Sequence, residues 1–327
     1  MELLILHPGA LGDIILSLPA LAVLRERLGT VRITLAADVD FAGAVASGYA
    51  DRVLSLSRLP LYRLHSPDPV PPEDERFWRS FDRILSWTGS RDERFTAKLA
   101  QMHSCILAAD WRPGPNEQRH VSRLFLDSLH SWFPVPQATP IPEIRVDPAV
   151  DPHGGEWLQE QGWSGEKPLI AIHPGAGHAA KRWGLRRFEE LGRLLRGQAT
   201  LVVLEGPAER GLGKDLAAAF GTDAWLARHL PLRLLAAVLR RCRLFVGNDS
   251  GIAHLAAGLG LPGVVLFGPT LPLNWAPLGR RTSVLRNNLG CLACEHEPAA
   301  PHTCLNNISV EMVLESVTKG LSGMAPK

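Results

Sequence analysis

The chain has 327 residues, of which 46% are hydrophobic and 21% are charged. This length exceeds what one hydrophobic core usually organises, so we expect a globular protein of two domains. The formal net charge of +2 argues against a dedicated nucleic-acid-binding protein.

Nothing in the sequence predicts a membrane span or a secreted disulfide framework. It contains no run of about 18 apolar residues. It opens on the apolar stretch Leu3–Leu6 rather than on a basic leader with a small-residue cleavage site, so we expect no signal peptide. Its five cysteines are an odd number in a long chain. We therefore expect a cytoplasmic protein, and peripheral contact with the inner face of the membrane stays open.

Short apolar runs alternate with longer amphipathic segments, which is typical of parallel sheets flanked by helices. In chain order, the predicted strands are Leu3–Leu6, Val31–Ala36, Arg52–Leu56, Arg83–Trp87, Cys105–Ala108, Leu169–His173, Thr200–Leu204, Leu244–Gly247 and Val264–Phe267. The predicted helices are Leu18–Leu28, Glu117–Leu129, Leu185–Arg196, Glu209–Phe220, Leu232–Arg241 and Gly251–Leu259. The sequence therefore predicts an α/β fold.

A Pro-rich segment and an internal repeat divide the chain into two halves. Six prolines fall between Pro134 and Pro152, which indicates a linker between domains. The segment Leu4–Ala10 recurs as Ile170–Ala176, and each copy is an apolar strand that ends in His-Pro-Gly-Ala. We predict two Rossmann-like domains, residues 1–150 and residues 151–327.

The first His-Pro-Gly-Ala turn continues to Gly12 and Asp13. Glycines in such a turn let a ligand approach the backbone closely, and open α/β sheets bind ligands where their strands end. Because proline is tolerated best in the first turn of a helix, Pro19 predicts a helix that starts near Ser17. Asp13 then lies in an exposed loop, either as a carboxylate that faces the ligand or as the N-cap of that helix.

The second turn, His173–Gly177, precedes Lys181. A strand, a glycine-rich turn and a helix together form an anion site from backbone N–H groups and the helix dipole. Lys181 adds a compact positive charge for a phosphate group. The alternative is that Lys181 is simply solvated.

Two glutamates, Glu205 and Glu209, follow the strand predicted at Thr200–Leu204. In dinucleotide-binding folds a carboxylate at this place accepts hydrogen bonds from the hydroxyls of a ribose. The alternative is a glutamate in the first turn of a helix, where the helix dipole favours it.

The run Gly247–His254 carries the strongest local pattern, a strand end followed by a small polar turn and a helix start. The amides of Ser250 and Gly251 suit a diphosphate at the N-terminus of that helix. Asp249 would repel phosphate, so it is either an N-cap or a carboxylate directed at sugar hydroxyls. His254 lies one turn further, where it either faces the same site or packs as an ordinary helix residue.

The C-terminal part of the chain contains potential zinc ligands. They are Cys291, Cys294, His296, His302 and Cys304. These residue types suffice for a tetrahedral site, but a zinc ribbon has two Cys-x2-Cys pairs and only one is present. We predict structural thiols and no bound metal.

Taken together, these motifs resemble glycosyltransferase family 9, the ADP-heptose:lipopolysaccharide heptosyltransferases. The resemblance spans nearly the whole chain. Its segments are, in order, Gly9–Ile14, Leu18–Leu21, His173–Ala176, Lys181–Trp183, Glu205–Glu209, Gly247–His254, Phe267–Thr270 and the loop with Cys291, Cys294 and Cys304.

The resemblance implies a GT-B fold, in which two Rossmann-like domains face a central cleft. The acceptor then binds on the N-terminal side and the nucleotide sugar mainly on the C-terminal side. Matched residue by residue, Asp13 is similar to the family's catalytic base, Lys181 to its diphosphate-binding lysine and Glu209 to its ribose-binding glutamate. The implied donor site also includes Gly175, Asp249, Ser250, Gly251 and His254. The resemblance implies no required metal or other cofactor, because the ADP-sugar is a co-substrate.

The acceptor side departs from the family pattern. Pro8 stands where the family often has a polar residue, and the segment from Pro60 to Arg79 is rich in proline. The candidate acceptor-binding residues are Gly12, Arg119, His120 and Arg123. The last three lie close together on a predicted helix and suit a phosphate or carboxylate group, although a solvated basic face is the alternative.

These expectations describe an inverting glycosyltransferase that moves a heptose from ADP-heptose to a sugar hydroxyl of a lipopolysaccharide core or related glycan. The first alternative keeps the fold but uses another nucleotide-sugar donor or a non-lipopolysaccharide acceptor. The second is a catalytically silent nucleotide-sugar-binding module. Neither half has Gly-x-Gly-x-x-Gly after its first strand, which argues against an oxidoreductase. The expected partners are a nucleotide sugar and a glycan or glycolipid acceptor.

Overall fold

The computed structural model describes residues 1–207, 209, 211–286 and 304–322. The chain forms two compact units, which divide between Arg145 and Val146. This boundary lies within the Pro-rich segment Pro134–Pro152, which has no helix or strand until a helix begins at Asp151.

The first unit is built on a parallel sheet. Its elements are β1 (Glu2–Leu6), α1 (Leu11–Leu28), β2 (Arg32–Ala37), α2 (Val39–Val45), β3 (Arg52–Ser55), α3 (Leu61–His65), α4 (Pro72–Arg79), β4 (Arg83–Ser86), α5 (Glu93–Met102), β5 (Ile106–Ala108) and α6 (Val121–Asp127). The described strands follow the order β3-β2-β1-β4-β5, and every neighbouring pair is parallel. β1 is central and almost entirely buried because helices cover both faces of such a sheet.

The second unit repeats this plan with more strands. Its elements are α7 (Asp151–Glu160), β6 (Leu169–His173), α8 (Leu185–Leu195), β7 (Thr200–Glu205), α9 (Leu212–Phe220), β8 (Ala224–Arg228), α10 (Leu232–Leu239), β9 (Leu244–Asn248), α11 (Gly251–Gly258), β10 (Gly263–Leu266), α12 (Pro272–Trp275), β11 (Thr282–Leu285) and α13 (Val310–Ser322). The described strands follow the order β11-β10-β9-β6-β7-β8, again with parallel pairs.

Each unit has its own hydrophobic core. In the first unit, Trp78, Phe95 and Leu99 are fully buried against β1 and β4. In the second unit, Trp183 and Phe188 pack edge to face, with ring centroids 4.9 Å apart, beside the apolar residues of the central strands. Aromatic pairs of this geometry add stability beyond the area that they bury.

The predicted start of the first helix was wrong. α1 begins at Leu11 rather than near Ser17, so Asp13 lies in its first turn and not in an exposed loop. The helix continues through Pro19 because its apolar residues are buried over most of its length, which outweighs the backbone hydrogen bond that proline removes. None of the described helices is long and apolar enough to cross a membrane.

Candidate functional site

Three loops meet where the central strands of the second sheet end. β6 ends at His173, β7 at Glu205 and β9 at Asn248, and all three strands run in the same direction. In open parallel sheets this edge is where ligands bind, because the loops that follow neighbouring strands converge there. The predicted donor-site residues lie in or next to these loops.

Asn248 fixes two of the loops to each other. Its side chain is fully buried; Nδ2 donates to the carbonyls of Pro174 (2.8 Å) and Gly175 (3.3 Å), and Oδ1 accepts from the Trp183 amide at 3.0 Å. The glycine-rich turn and the Lys-Arg-Trp segment are therefore held by one buried amide. We did not assign this residue a role from the sequence, because its partners are backbone groups that are distant along the chain.

Lys181 and Asp249 form an ion pair in this site. The distance from Lys181 Nζ to Asp249 Oδ2 is 2.8 Å, and the Thr270 hydroxyl lies 2.5 Å from the same oxygen. The Asp249 side chain is 7% exposed and that of Lys181 is 28% exposed, so the lysine reaches solvent while its partner is buried. The alternative that Lys181 is simply solvated is therefore wrong.

Ser250 is the N-cap of α11. Its Oγ accepts from the Ala253 amide at 3.4 Å, so Gly251 occupies the first position of the helix. The first N–H groups of a helix have no partner within the helix, and with the dipole they favour an anion. His254 is 5% exposed within α11, which agrees with a packed helix residue.

Glu209 lies against the second His-Pro-Gly-Ala turn. A Cβ on Gly175 would approach Glu209 Oε1 to 2.1 Å, so only glycine leaves room for this carboxylate. Its Oε2 accepts from the Gly206 amide at 2.6 Å, and its Oε1 is 3.5 Å from His173 Nε2. Burial raises the pKa of Glu209, but the hydrogen bonds from His173 and from the Gly206 amide outweigh it and lower the pKa overall.

Glu205 has a structural environment that separates it from Glu209. Its side chain is fully buried, accepts from the Lys214 amide at 2.8 Å and pairs with Arg228 Nε at 2.9 Å. It therefore joins β7 to the first turn of α9 and to β8. Of these two glutamates, only Glu209 borders the glycine-rich turn.

In the first unit, Asp13 is the third residue of α1. Its Oδ2 accepts from the Ala10 amide at 2.9 Å, which is the backward half of a capping box rather than an N-cap. A Cβ on Gly9 would approach Asp13 Cβ to 2.4 Å, so the turn and the carboxylate are closely packed. The side chain is held in one place, next to the half-buried Gly12.

His7 directly follows β1 and forms a hydrogen bond with the turn at Gly9. Its Nδ1 accepts from the Gly9 amide at 3.1 Å, and its ring packs between Trp87, Trp111 and Phe125. Burial lowers the pKa of His7 from 6.5 to about 3, so the ring is neutral. Sequence reasoning gave this histidine no role.

A cavity of about 630 Å³ opens beside this turn in the first unit. Pro8, Trp87, Trp111, Arg91 and Arg112 contribute to its lining. Arg91 pairs with Asp110, and the Arg112 guanidinium lies 5.2 Å from the centre of the Trp111 ring. These residues follow β4 and β5, so they lie at the ligand-binding edge of the first sheet.

The predicted acceptor-binding helix was wrong in its extent. α6 spans Val121–Asp127, so Arg119 lies before the helix and His120 is its N-cap, accepting from the Ser122 amide at 3.2 Å. Arg119 and Arg123 both pair with Asp127, at 2.9 and 2.5 Å. The two arginines are therefore engaged in intramolecular ion pairs. Arg123 is largely buried, whereas Arg119, which also pairs with Glu117, is 55% exposed.

Of the potential zinc ligands, for which we predict no bound metal, Cys291, Cys294, His296 and His302 lie outside the described residues. Cys304 is a buried free thiol next to a short 3-10 turn at Leu305–Asn307. In the part of the chain that the structure describes, no group of three or more His, Cys, Asp or Glu side chains is placed to hold a metal ion.

Comparisons with known proteins agree with this architecture. Residues 96–303 match the model of glycosyltransferase family 9 (heptosyltransferase). Lipopolysaccharide heptosyltransferase 2 of Escherichia coli (strain K12) is 35% identical over 163 residues, which cover 47% of this chain and 47% of that protein. The match thus spans about half the length of such curated relatives.

Solved structures extend the likeness in fold to the whole chain. The structure of E. coli ADP-heptose lps heptosyltransferase II has a TM-score of 0.74 at 21% identity and covers 99% of both chains. A glycosyl transferase family 9 structure from Veillonella parvula has a TM-score of 0.79 at 21% identity, covering 99% of this chain and 98% of that one. The two parallel α/β units therefore have the GT-B type of fold. With more than half of its residues matched by the family model, the chain belongs to glycosyltransferase family 9 (heptosyltransferase).

Proposed function

We propose that this chain is an inverting glycosyltransferase that moves a heptose from ADP-heptose to a sugar hydroxyl of a lipopolysaccharide core or a related glycan. The observation that carries the proposal is the connected polar network at the end of the second sheet. There Lys181 pairs with the buried Asp249, and the next residue, Ser250, caps α11 and contacts His173, which lies against the buried Glu209. Family membership and the names of the relatives support the choice of donor and acceptor.

The donor diphosphate is proposed to bind between Lys181 and the first amides of α11. Asp249, 2.8 Å from Lys181 Nζ, holds the ammonium group in place and offers its carboxylate to hydroxyls of the donor sugar. Negative charge develops on the departing ADP, and a fixed positive charge with oriented N–H groups stabilises it. The chemistry then requires no bound metal. Glu209 is the proposed acceptor of hydrogen bonds from the ribose hydroxyls.

Asp13 is the proposed general base. The acceptor hydroxyl becomes strongly acidic only while the new glycosidic bond forms, so its proton must be received in the transition state. An aspartate is ionised at neutral pH and ready to accept it. The hydrogen bond from the Ala10 amide to Oδ2 and the close packing with Gly9 orient the carboxylate before substrate binds.

The cavity beside Pro8 is the proposed site of the acceptor sugar. Trp87 and Trp111 contribute apolar surface to it, and the Arg112 guanidinium contributes positive charge beside the Arg91–Asp110 ion pair. Guanidinium groups bind phosphate and carboxylate groups in a bidentate manner, which suits an anionic glycan. This location replaces Arg119 and Arg123 as the main acceptor contacts, because Arg119 is held by Glu117 and Asp127 and Arg123 by Asp127, outside the cavity lining.

A donor panel tests the proposal. Purified protein is incubated with lipopolysaccharide-core acceptors and, in turn, ADP-heptose, ADP-glucose, UDP-glucose and GDP-mannose, with and without EDTA, and the products are identified by mass spectrometry. We expect addition of a heptose, from ADP-heptose only and also with EDTA, and an inverted anomeric configuration. Transfer from another donor supports the first alternative function. ADP binding without any product supports a silent binding module.

A further inference from the structure

Ser250, His173 and Glu209 form a continuous chain of side-chain contacts in the proposed donor site. His173 Nδ1 lies 3.1 Å from Ser250 Oγ, and His173 Nε2 lies 3.5 Å from Glu209 Oε1. The histidine is 4% exposed and Glu209 is 6% exposed, so water does not compete for these contacts. The mechanism above uses Glu209 and Ser250 but assigns nothing to the histidine between them.

Backbone geometry fixes the position of His173. It is the last residue of β6 and pairs in register with Gly247 of β9, three residues before Ser250. A Cβ on Gly247 would approach the His173 carbonyl oxygen to 3.0 Å and its Cβ to 3.1 Å, so the missing side chain lets the two strands come this close. The imidazole is therefore held beside the first turn of α11.

The contacts also fix which ring nitrogen carries the proton. A bare Nε2 lone pair facing the Glu209 carboxylate would be repelled by it, so Nε2 carries hydrogen and donates to Oε1. In the tautomer with its hydrogen on Nε2, Nδ1 is an acceptor, and it accepts from the Ser250 hydroxyl. The Ser250 oxygen keeps a lone pair for the Ala253 amide, its N-cap partner.

We propose that His173 is a positioning residue that joins two halves of the donor site, orienting Glu209 toward the ribose through Nε2 and Ser250 at the diphosphate turn through Nδ1. This inference rests on the proposed function, since it assumes that the ligand is an ADP-sugar. The other oxygen of Glu209 accepts from the Gly206 amide, so loss of His173 removes the contact that orients Oε1 and leaves the one at Oε2.

Two conservative substitutions separate the two contacts. In His173→Asn the amide lies where Nδ1 was, so it keeps the contact with Ser250 and loses the one with Glu209. In His173→Gln the amide reaches the place of Nε2, so it keeps Glu209 and loses Ser250. His173→Leu removes both. His153→Gln, at a largely exposed position on α7, is the matched control.

Calorimetry with pairs of ligands measures the effect of the Glu209 contact and of the Ser250 contact separately. The preference for ADP over 2′-deoxyADP reports the ribose contact, and the preference for ADP over AMP reports the diphosphate contact. We expect His173→Asn to reduce the first preference about tenfold and leave the second, and His173→Gln to do the reverse. His173→Leu should reduce both, and the His153→Gln control neither. In Glu209→Gln, whose ribose contact is already weakened, adding His173→Asn should cost little more.

The outcomes are distinct from a failure of the proposed function. If the wild-type protein binds neither ADP nor AMP, the donor assignment and this proposal are both wrong. If the wild-type protein binds ADP and the three variants keep both preferences, only the proposal is overturned. An equal loss of affinity for all ligands in the Asn and Gln variants also overturns it, because that pattern indicates a purely structural histidine.

Discussion

Two glycines, one in each half of the chain, make room for a carboxylate of the proposed site. Gly9 packs on Asp13 and Gly175 packs on Glu209, and in both places a Cβ would come within 2.5 Å of the acidic residue. The two His-Pro-Gly-Ala turns thus share this packing of a glycine against a carboxylate as well as their sequence. In each, the glycine is required by a close approach and not by a positive φ angle.

Replacement of Gly175 by alanine should displace Glu209. The new Cβ would lie 2.1 Å from Oε1, whereas a Cβ on Gly177, in the same loop, would meet nothing within 4 Å. We expect Gly175→Ala to lower the free energy of unfolding by about 1–3 kcal/mol and to weaken ADP binding. Urea denaturation and calorimetry measure both effects, with Gly177→Ala as the matched control. Equal behaviour of the two variants would contradict this packing.

Lys181→Ala should weaken ADP binding by about 1.5–3 kcal/mol, the usual scale for the loss of a charge-assisted contact. Calorimetry checks this against Lys319→Ala, which removes a lysine whose ion pair with Glu315 is on the exposed face of α13. Unchanged ADP affinity in the Lys181 variant would count against the placement of the diphosphate.

His7 should make the protein sensitive to acid. Its pKa is about 3 in the folded state against an ordinary value of 6.5, so below pH 6.5 the unfolded chain binds a proton that the folded one does not. Stability is therefore lost as the pH falls from 6.5 toward 3, by at most about 1.4 kcal/mol per pH unit. His7→Asn keeps an acceptor for the Gly9 amide but does not titrate.

We expect the pH dependence of the unfolding free energy of His7→Asn to be shallower than that of the wild type in this range. The control is His153→Asn, in which an exposed histidine is replaced. Parallel curves for the wild type and His7→Asn would show that His7 is not buried in a neutral form.

Among the secondary-structure elements, the ends of β6 and β9 depend on Asn248. Asn248→Ala leaves two carbonyls and the Trp183 amide without this partner in a buried place. We expect a loss of about 2–4 kcal/mol in the free energy of unfolding. We also expect weaker ADP binding, because the segment Lys181–Trp183 is no longer fixed to the turn at Pro174 and Gly175. Denaturation and calorimetry are compared with Asn306→Ala at an exposed position. A variant as stable as that control would disprove the bracing role.

The central strands could be predicted from the sequence, whereas two outer ones could not. β6 and β9 are continuous apolar runs because both of their faces are buried. β8 and β11 are the outer strands of the described second sheet, are partly exposed, and lack that signal. The start of α1 was predicted too late because Pro19 is a local signal for a helix start, and burial of the apolar residues of the helix outweighed it.

Within the candidate site, the carboxylates and the lysine were predicted, but not their connections. Asp249 directly follows β9, and Glu209 and Lys181 lie in the loops after β7 and β6, so their placement could be predicted from the sequence alone. The roles of Asn248, His173 and Thr270 depend on strand register and on contacts between segments distant along the chain. The sequence also did not reveal that Arg119 and Arg123 both pair with Asp127 and that Arg119 pairs with Glu117 as well.

For the molecule as a whole, each unit supplies part of the proposed reaction. The second unit holds the charges and amides proposed for the nucleotide, and the first holds Asp13 and the cavity proposed for the acceptor. In each unit, the strand that ends in His-Pro-Gly-Ala places these groups at the edge of its own sheet where the strands end. We therefore expect the protein to bind ADP-heptose normally when Asp13 is replaced, although it no longer transfers the heptose.

The most direct test is the turnover of Asp13→Asn with ADP-heptose and acceptor. Asparagine keeps the shape of the side chain and can still accept from the Ala10 amide, but it cannot take the acceptor proton. Asp38→Asn is the matched control, because it makes the same change at a carboxylate that caps α2. We expect turnover of Asp13→Asn to fall about 10²–10⁴-fold, with ADP affinity and melting temperature close to those of the wild type. Near-normal turnover combined with a lowered melting temperature would contradict the account and make Asp13 a helix-capping residue.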